Sequence, residues 1–343
     1  VLYGEETVGR LSMEFLHEGA PDLDLQAEWQ APRFSEPPAE RERAHEPSEV
    51  LLALLDRLNV RSGERKARHY DHEVKGLTVV KPWVGVHQDV PAEATVLLAH
   101  HESFQGYVLS EGVHPFLSDL DTEAMARVSL DEAVRRQLCA GARIDRIAAL
   151  DNFCWPDPVR SDRTPDGEYK LAQLVRACRG LHDLCLSYGT PLISGKDSMK
   201  NDSVMGGVKI SVPPTLLVSA IGVIDDVRDA VTLDLKSPGD VLFVLGTTAD
   251  EAGGSEWYRY LADRAGRAVE PGRPAPFVGT RPPRVDADRT VPLYRALHGA
   301  VRAGLVRSAV TPGRGGLAVA IARSAMAGAL GVDADLANCD GVS

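Results

Sequence analysis

Two spacings of apolar residues run along this chain. One is helical. In residues 168–188 the apolar positions are Leu171, Leu174, Val175, Cys178, Leu181, Cys185 and Leu186, a period near 3.6 that predicts an amphipathic helix ended by Gly189. A second helix is predicted from about Asp121 to Ala140, with Leu130, Val134 and Leu138 on one face and Gly141 at its stop. The segment SEVLLALLDRLN, 48–59, reads as a third, opened by Ser48 as N-cap. EWYRYLADRAG (256–266) and TVPLYRALHGAVRAG (290–304) add two more. TPGRGGLAVAIARSAMAGA (311–329) is a glycine-rich entry into an alanine-rich helix.

The other spacing belongs to strands. LTVVKPWVGV (77–86), ATVLLA (94–99) and GYVLSEG (106–112) are short and rich in β-branched residues. The last two form a predicted hairpin turning at His100, His101 and Glu102. RIAALDNF (146–153) reads as a buried strand, PLISG (191–195) as the next, and VKISVPPTLLVSAIGVI (208–224) as a long interrupted one. Pro238, Gly239 and Asp240 make a turn, after which VLFVLG (241–246) is expected to open a new α/β unit. RLSMEFLHEG (10–19) reads as a final strand of a preceding domain. Gln30–Glu49 reads as a linker for lack of large apolar residues, and ANCDGVS (337–343) as weakly ordered. The expected division is therefore 1–50 (tail and linker), 51–235 (first α/β domain) and 236–343 (second α/β domain).

Composition narrows the function classes. The 343 residues carry a net charge of -11, unsuited to binding nucleic acid or an anionic membrane non-specifically. No Cys-x-x-Cys spacing joins Cys139, Cys154, Cys178, Cys185 and Cys339, and Cys178 and Cys185 read as buried free thiols. With no signal peptide and no run of 18 apolar residues, a soluble cytoplasmic protein is expected. The first residue is Val1, which reads as a segment of a longer chain.

Four polar clusters carry the candidate chemistry. Asp151 and Asn152 end an apolar strand, the edge where α/β sheets bind ligands; Asp151 could accept from an adenine amino group or a ribose hydroxyl, or ligate a metal. The competing reading is a turn whose Asp and Asn satisfy their own backbone. Gly195, Lys196, Asp197 and Ser198 follow the next strand. Gly195 permits close backbone approach to a phosphate, Lys196 adds charge and Ser198 a hydroxyl. This is no Walker loop, since Thr190 stands where that loop needs glycine and Asp197 follows the lysine. Gly313, Gly315 and Gly316 precede a helix whose N-terminus can hold an anion, or form a plain flexible turn. Glu93 and the Asp131–Glu132 pair could ligate Mg2+ beside a phosphate, although an exposed helix face is the default reading for the pair. His100, His101 and Glu102 look like a metal cluster but read as a hairpin turn.

Taken together, YDHEVKGLTVVKP (70–82), ALDNFCWPDP (149–158), YGTPLISGKDSMKND (188–202), VPPTLLVSAIG (212–222) and GRGGLAVAIA (313–322) resemble phosphoribosylformylglycinamidine synthase, within the aminoimidazole ribonucleotide synthetase superfamily. The resemblance implies an α/β (α+β) architecture: a ferredoxin-like domain over 51–235, then a second α/β domain, the two forming the second half of a pseudo-dimeric synthetase. It implies ATP-dependent amidation of formylglycinamide ribonucleotide in purine biosynthesis, with Mg2+ as cofactor. It also implies two partners, the missing first synthetase half with its catalytic residues and a glutaminase supplying ammonia; a homodimer is compatible. By position it makes Asp151 and Gly195 nucleotide contacts, Ser198 a substrate contact, and Glu132 and Glu93 metal ligands. Lys196 stands where shorter members carry a metal-binding Asn and would meet phosphate directly. Arg136, Thr311 and Gly313 depart from the Asn, Asp and Ser of longer members. Two alternatives remain: a non-catalytic nucleotide-binding or assembly half, and a small-molecule kinase of the same superfamily.

Overall fold

The computed structural model describes residues 1–19, 22–38, 45–73, 75–266 and 277–335. Its centre is a six-stranded mixed sheet. The elements begin with a small hairpin, β1 (Leu2–Tyr3) and β2 (Glu6–Thr7), then α1 (Met13–Glu18), α2 (Pro47–Leu55) and α3 (Glu64–Ala67). Next come β3 (Thr78–Val80), β4 (Trp83–Val84), β5 (Val90–Pro91), β6 (Thr95–Leu98), β7 (Gly106–Val113), α4 (Thr122–Cys139), β8 (Ile147–Cys154), α5 (Gly167–Tyr188) and β9 (Leu192–Ser198). A hairpin of β10 (Asp202–Met205) and β11 (Val208–Ser211) leads to β12 (Thr215–Ile224); then come α6 (Glu256–Arg264), α7 (Ala287–Arg302) and α8 (Gly316–Gly328).

The sheet order is β3-β6-β7-β12-β8-β9. β12 is antiparallel to both β7 and β8, so those two run parallel with β12 between them, the split crossover of ferredoxin-like folds. β9 joins β8 in parallel through α5. Helices α4 and α5 cover one face of the sheet. Val218, Leu216 and Phe153 point at them and are buried with Leu130, Val134, Leu138, Leu181 and Leu184, while Val108 is buried with Ala140, Ala142 and Ile224. α4 sits unusually close because Gly112 and Gly222 leave room: a Cβ on Gly112 would lie 2.0 Å from the Ser129 carbonyl oxygen, and one on Gly222 2.3 Å from Gln137 Oε1. Buried Gln137 donates to the Val108 and Ala220 carbonyls and to Ser110 Oγ, pinning helix to sheet. The other face is open. Tyr107 and Leu109 on β7 are exposed there, in cross-strand rows with half-buried Leu97, Ile221 and Val223.

Several expectations need correction. Residues 10–19 contain helix α1, capped by Ser12 on the Phe15 N–H, not a strand. Ser48 is not an N-cap: α2 starts two residues earlier, with Glu46 at the cap and Pro47, whose missing N–H costs nothing there, in the first turn. Val241–Gly246 pairs with no strand among the described residues, and Val241 and Phe243 are exposed; β propensity becomes a strand only beside a neighbour. Asp151 lies inside β8, and Gly195–Ser198 lies inside β9 instead of beyond its end. Cys178 is exposed and Cys185 half-exposed, because the side of α5 that carries them overhangs the bare edge strand β9. Residues 337–343, including Cys339, lie outside the described residues. The linker follows the surface by specific contacts. Trp29 stacks on Tyr169 beneath Arg176, and Glu36 accepts from the Thr280 N–H.

Candidate functional site

The sequence candidates fall into two places, separated by β12. The first is the outer edge of the sheet. Asp151 and Gly195 are register partners on adjacent strands. A Cβ on Gly195 would lie 2.0 Å from Asp151 Oδ1, so the glycine is what gives this carboxylate its room. The pair faces an apolar groove of about 610 Å³ between α5 and β9, lined by Phe153, Cys178, Leu181 and Cys185. Burial, then the nearby Asp197, raises the Asp151 pKa above the usual carboxylate value. Burial and Asp151 together push the Cys185 thiol up to about 11. Lys196 does not join them. Side chains alternate along a strand, and Lys196 pairs with Asn152 on the opposite face. Lys196 is exposed and makes no ion pair with Asp197 among the described residues. Ser198 follows on that same open face, its carbonyl accepting from Trp155 N–H and from Asn201 Nδ2.

The raised pKa makes a signed prediction. An ionised Asp151 costs folding energy, and the cost is present above its folded pKa and absent below about pH 3.9, where the carboxyl is protonated in both folded and unfolded states. Asp151→Asn is therefore expected to raise Tm at pH 7.5 and to leave it unchanged at pH 3. A lowered Tm at pH 7.5 in thermal denaturation would contradict this.

The second place is a pocket of about 280 Å³ where the two parts of the chain meet. Glu111 from β7 and Glu132 and Arg136 from α4 form one wall. Opposite stands the glycine-rich turn, Thr311–Gly316, with Arg314 and, from α8, Arg323; Asn59, Arg61 and Gly63 close the third side. Four arginines face two carboxylates, so the lining is net cationic in an acidic protein. Gly316 has φ of 72°, a left-handed backbone that glycine adopts freely and that turns the chain into α8. The free N–H groups of that helix start, with its dipole, complement an anion.

Glu132 is fully buried, not on an exposed helix face. Its carboxylate is 2.8 Å from His114 Nε2 and accepts from Arg136 at 3.1 Å. Burial alone would raise its pKa; the His114 hydrogen bond and the charges of His114, Arg136 and Arg135 outweigh that and hold it well below the carboxylate range. Arg136 also donates to Glu111 at 2.8 Å, and its Nε is buried without a partner. Glu93 is buried behind the turn, accepting from the Thr311 N–H at 3.1 Å and from the Thr311 hydroxyl, with Arg323 3.0 Å away.

For Mg2+, the donor set is incomplete by itself. Among the described residues no group of three or more His, Cys, Asp or Glu could hold a metal. Yet Glu93 Oε1 and Glu132 Oε2 are buried carboxylate oxygens, each facing one side-chain cation that a metal would displace, Arg323 at 3.0 Å and His114 at 2.8 Å. Magnesium commonly takes one or two carboxylates and draws its other ligands from phosphate and water. The residues therefore fit Mg2+ when it arrives with a phosphate ligand.

The sequence reading missed Arg136, Arg314 and Arg323 as an anion wall. Single arginines scattered along the sequence carry no pattern, and only the fold brings the glycine-rich turn and the start of α8 to the same pocket as Arg136 of α4.

Comparison with known proteins agrees with this architecture. Residues 67–223 match the FGAR-AT PurM_N-like domain, and residues 237–342 match the AIR synthase related protein, C-terminal domain. The phosphoribosylformylglycinamidine synthase subunit PurL of Parasynechococcus marenigrum is 32% identical over 332 residues, covering 94% of this chain and 40% of that subunit. The same subunit of Methanocaldococcus jannaschii is 33% identical over 289 residues, covering 84% of this chain and 35% of its own. A solved structure of PurLQS from Thermotoga maritima superimposes with a TM-score of 0.45 at 23% identity, covering 67% of this chain and 32% of that one. The chain thus spans about two fifths or less of the length of the curated relatives it matches. Two domain models in the expected order, and relatives of one kind aligned along most of its length, mean that this chain belongs to the phosphoribosylformylglycinamidine synthase family.

Proposed function

We propose that this chain is the nucleotide-carrying second half of an ATP-dependent amidating synthetase. The reaction joins formylglycinamide ribonucleotide, ATP and ammonia into formylglycinamidine ribonucleotide, ADP and phosphate. An amide oxygen is a poor leaving group. Transfer of the ATP γ-phosphate onto it gives an iminophosphate; ammonia adds at that carbon, and the phosphate leaves with the oxygen. Mg2+ would offset the charge on the phosphates. In this chain Arg136, Arg314 and the N–H groups of the glycine-rich turn bind and orient the polyphosphate. Glu132, kept ionised, and Glu93 are the carboxylates available to the metal.

The observation that carries this reading is the cationic pocket itself, four arginines and a glycine-rich helix start around a buried ionised carboxylate. Calorimetric titration with Mg-ADP tests it. One saturable site per chain is expected, and no binding at millimolar nucleotide would refute it.

The finer assignments follow. Asp151 and Gly195 make a nucleotide contact, and Ser198 a substrate contact, at an edge that another surface completes. β9 is exposed over most of its length and the open sheet face carries Tyr107 and Leu109, so both suit the first synthetase half, or a second copy of this chain. Lys196, on that open face, is proposed to reach phosphate only when the face is covered. Catalytic residues are assigned to the first half, and ammonia to a glutaminase domain or subunit. The division at 1–50, 51–235 and 236–343 stands as a proposal. No described helix is long and apolar enough to cross a membrane, and a cytoplasmic location is part of the proposal.

A further inference from the structure

One buried charge cluster lies outside the pocket and has no part in the chemistry above. Asp131, one residue before Glu132 on α4, is 7% exposed. Its Oδ1 accepts from Tyr188 OH at 2.6 Å and from Tyr294 OH at 2.5 Å, joining α4 to α5 and α7. Its Oδ2 accepts from Arg135 Nε at 2.7 Å. Arg135 then reaches away from the core, and its Nη1 donates to the Pro312 carbonyl at 3.0 Å. Pro312 immediately precedes the glycines that face the pocket.

That last hydrogen bond is a strange use of a half-buried arginine if only the core is served. Two tyrosine hydroxyls already satisfy one Asp131 oxygen, and a lysine could neutralise the other. What a lysine lacks is the planar fork that spans a carboxylate and a carbonyl at once. On the other side of the turn, Glu93 holds the Thr311 N–H. The segment entering the turn is thus held at two successive residues, just ahead of Gly313, Arg314, Gly315 and Gly316.

We infer that Arg135 is a positioning residue: by bridging Asp131 to the Pro312 carbonyl it fixes where the turn at Gly313–Gly316 presents its N–H groups to a polyphosphate. The inference rests on the reading of the pocket as a nucleotide site. Tyr188 and Tyr294 both donate to Asp131 Oδ1, so loss of one hydroxyl leaves the other in place and leaves Oδ2 to Arg135.

The test uses the full chain, with Arg135→Gln, Arg135→Lys and Tyr294→Phe as a core control. Hydrogen exchange of the 310–318 segment and Mg-ADP affinity are measured on each. Arg135→Gln is expected to speed exchange of that segment at least 10-fold and to weaken Mg-ADP binding about 5- to 10-fold. Arg135→Lys should melt near the wild type yet exchange and bind like Arg135→Gln. Tyr294→Phe should lower Tm while leaving the segment's exchange within about 2-fold of the wild type. Unchanged exchange in Arg135→Gln overturns the inference. So does faster exchange with unaltered affinity, a wild-type-like Arg135→Lys, or an equal loosening in Tyr294→Phe. Absence of Mg-ADP binding by the wild type instead removes the nucleotide reading of the pocket, and the exchange comparison still decides whether Arg135 fixes the turn.

Discussion

Glu132→Gln is expected to destabilise the protein by about 3 kcal/mol at pH 7, the range found when one partner of a buried ion pair is removed. Glu132 is 1% exposed and sits between His114 and Arg136. The neutral amide keeps the shape but leaves Arg136, whose Nε already lacks a partner, with only the exposed Glu111 carboxylate as a hydrogen-bonded counter-charge. Because the folded pKa of Glu132 is depressed, its contribution is complete above the unfolded value near 4.3 and is lost as pH falls through the folded one. The wild-type advantage should therefore hold from pH 5 to 8 and shrink at pH 3. Denaturant unfolding followed by circular dichroism measures it; a loss below about 0.5 kcal/mol at pH 7 would mean that this buried ion cluster does not stabilise the fold.

The same cluster governs ligand affinity. Arg136→Ala is expected to weaken Mg-ADP binding about 30-fold, equivalent to about 2 kcal/mol, the usual size of a hydrogen bond to a charged group. The guanidinium lines the pocket between Glu111 and Glu132, and its removal leaves those two carboxylates facing the phosphates with one cation fewer. Arg136→Lys should recover part of the loss, since a point charge keeps the attraction but not the forked geometry. Calorimetry with an unchanged Kd for Arg136→Ala would move the nucleotide away from this pocket.

How much of this was legible in the sequence depends on whether the information was local. The helices at 122–139 and 167–188 were readable because their apolar period is unbroken and Gly141 and Gly189, both at positive φ, end them. The hairpin turning at His100–Glu102 was readable from two β-branched runs around a polar turn. Helix α1 was not, since its apolar residues are exposed and a six-residue helix shows less than two turns of periodicity. Val241–Gly246 has strong β propensity and still no strand, because pairing is a property of the neighbour. At the site, the Asp151–Gly195 adjacency was half visible: both segments were singled out, but that they are register partners, with Lys196 turned away, is fixed by the parallel register. The pocket was least legible. The sequence shows its glycine-rich turn but gives Glu132 the pattern of an exposed helix face, and the arginine wall depends on three segments distant in sequence.

A chain that carries only one half of a composite synthetase, as proposed above, needs the other half to turn over. The most direct measurement is ATP-dependent formation of formylglycinamidine ribonucleotide with ammonium as nitrogen donor, which bypasses any glutaminase. It is made on the chain alone and on the chain joined to the remainder of a full-length PurL subunit. The account predicts no product from the chain alone and product from the joined form, abolished with Arg136→Ala. Product from the isolated chain, or full activity of the joined form carrying Arg136→Ala, would contradict it.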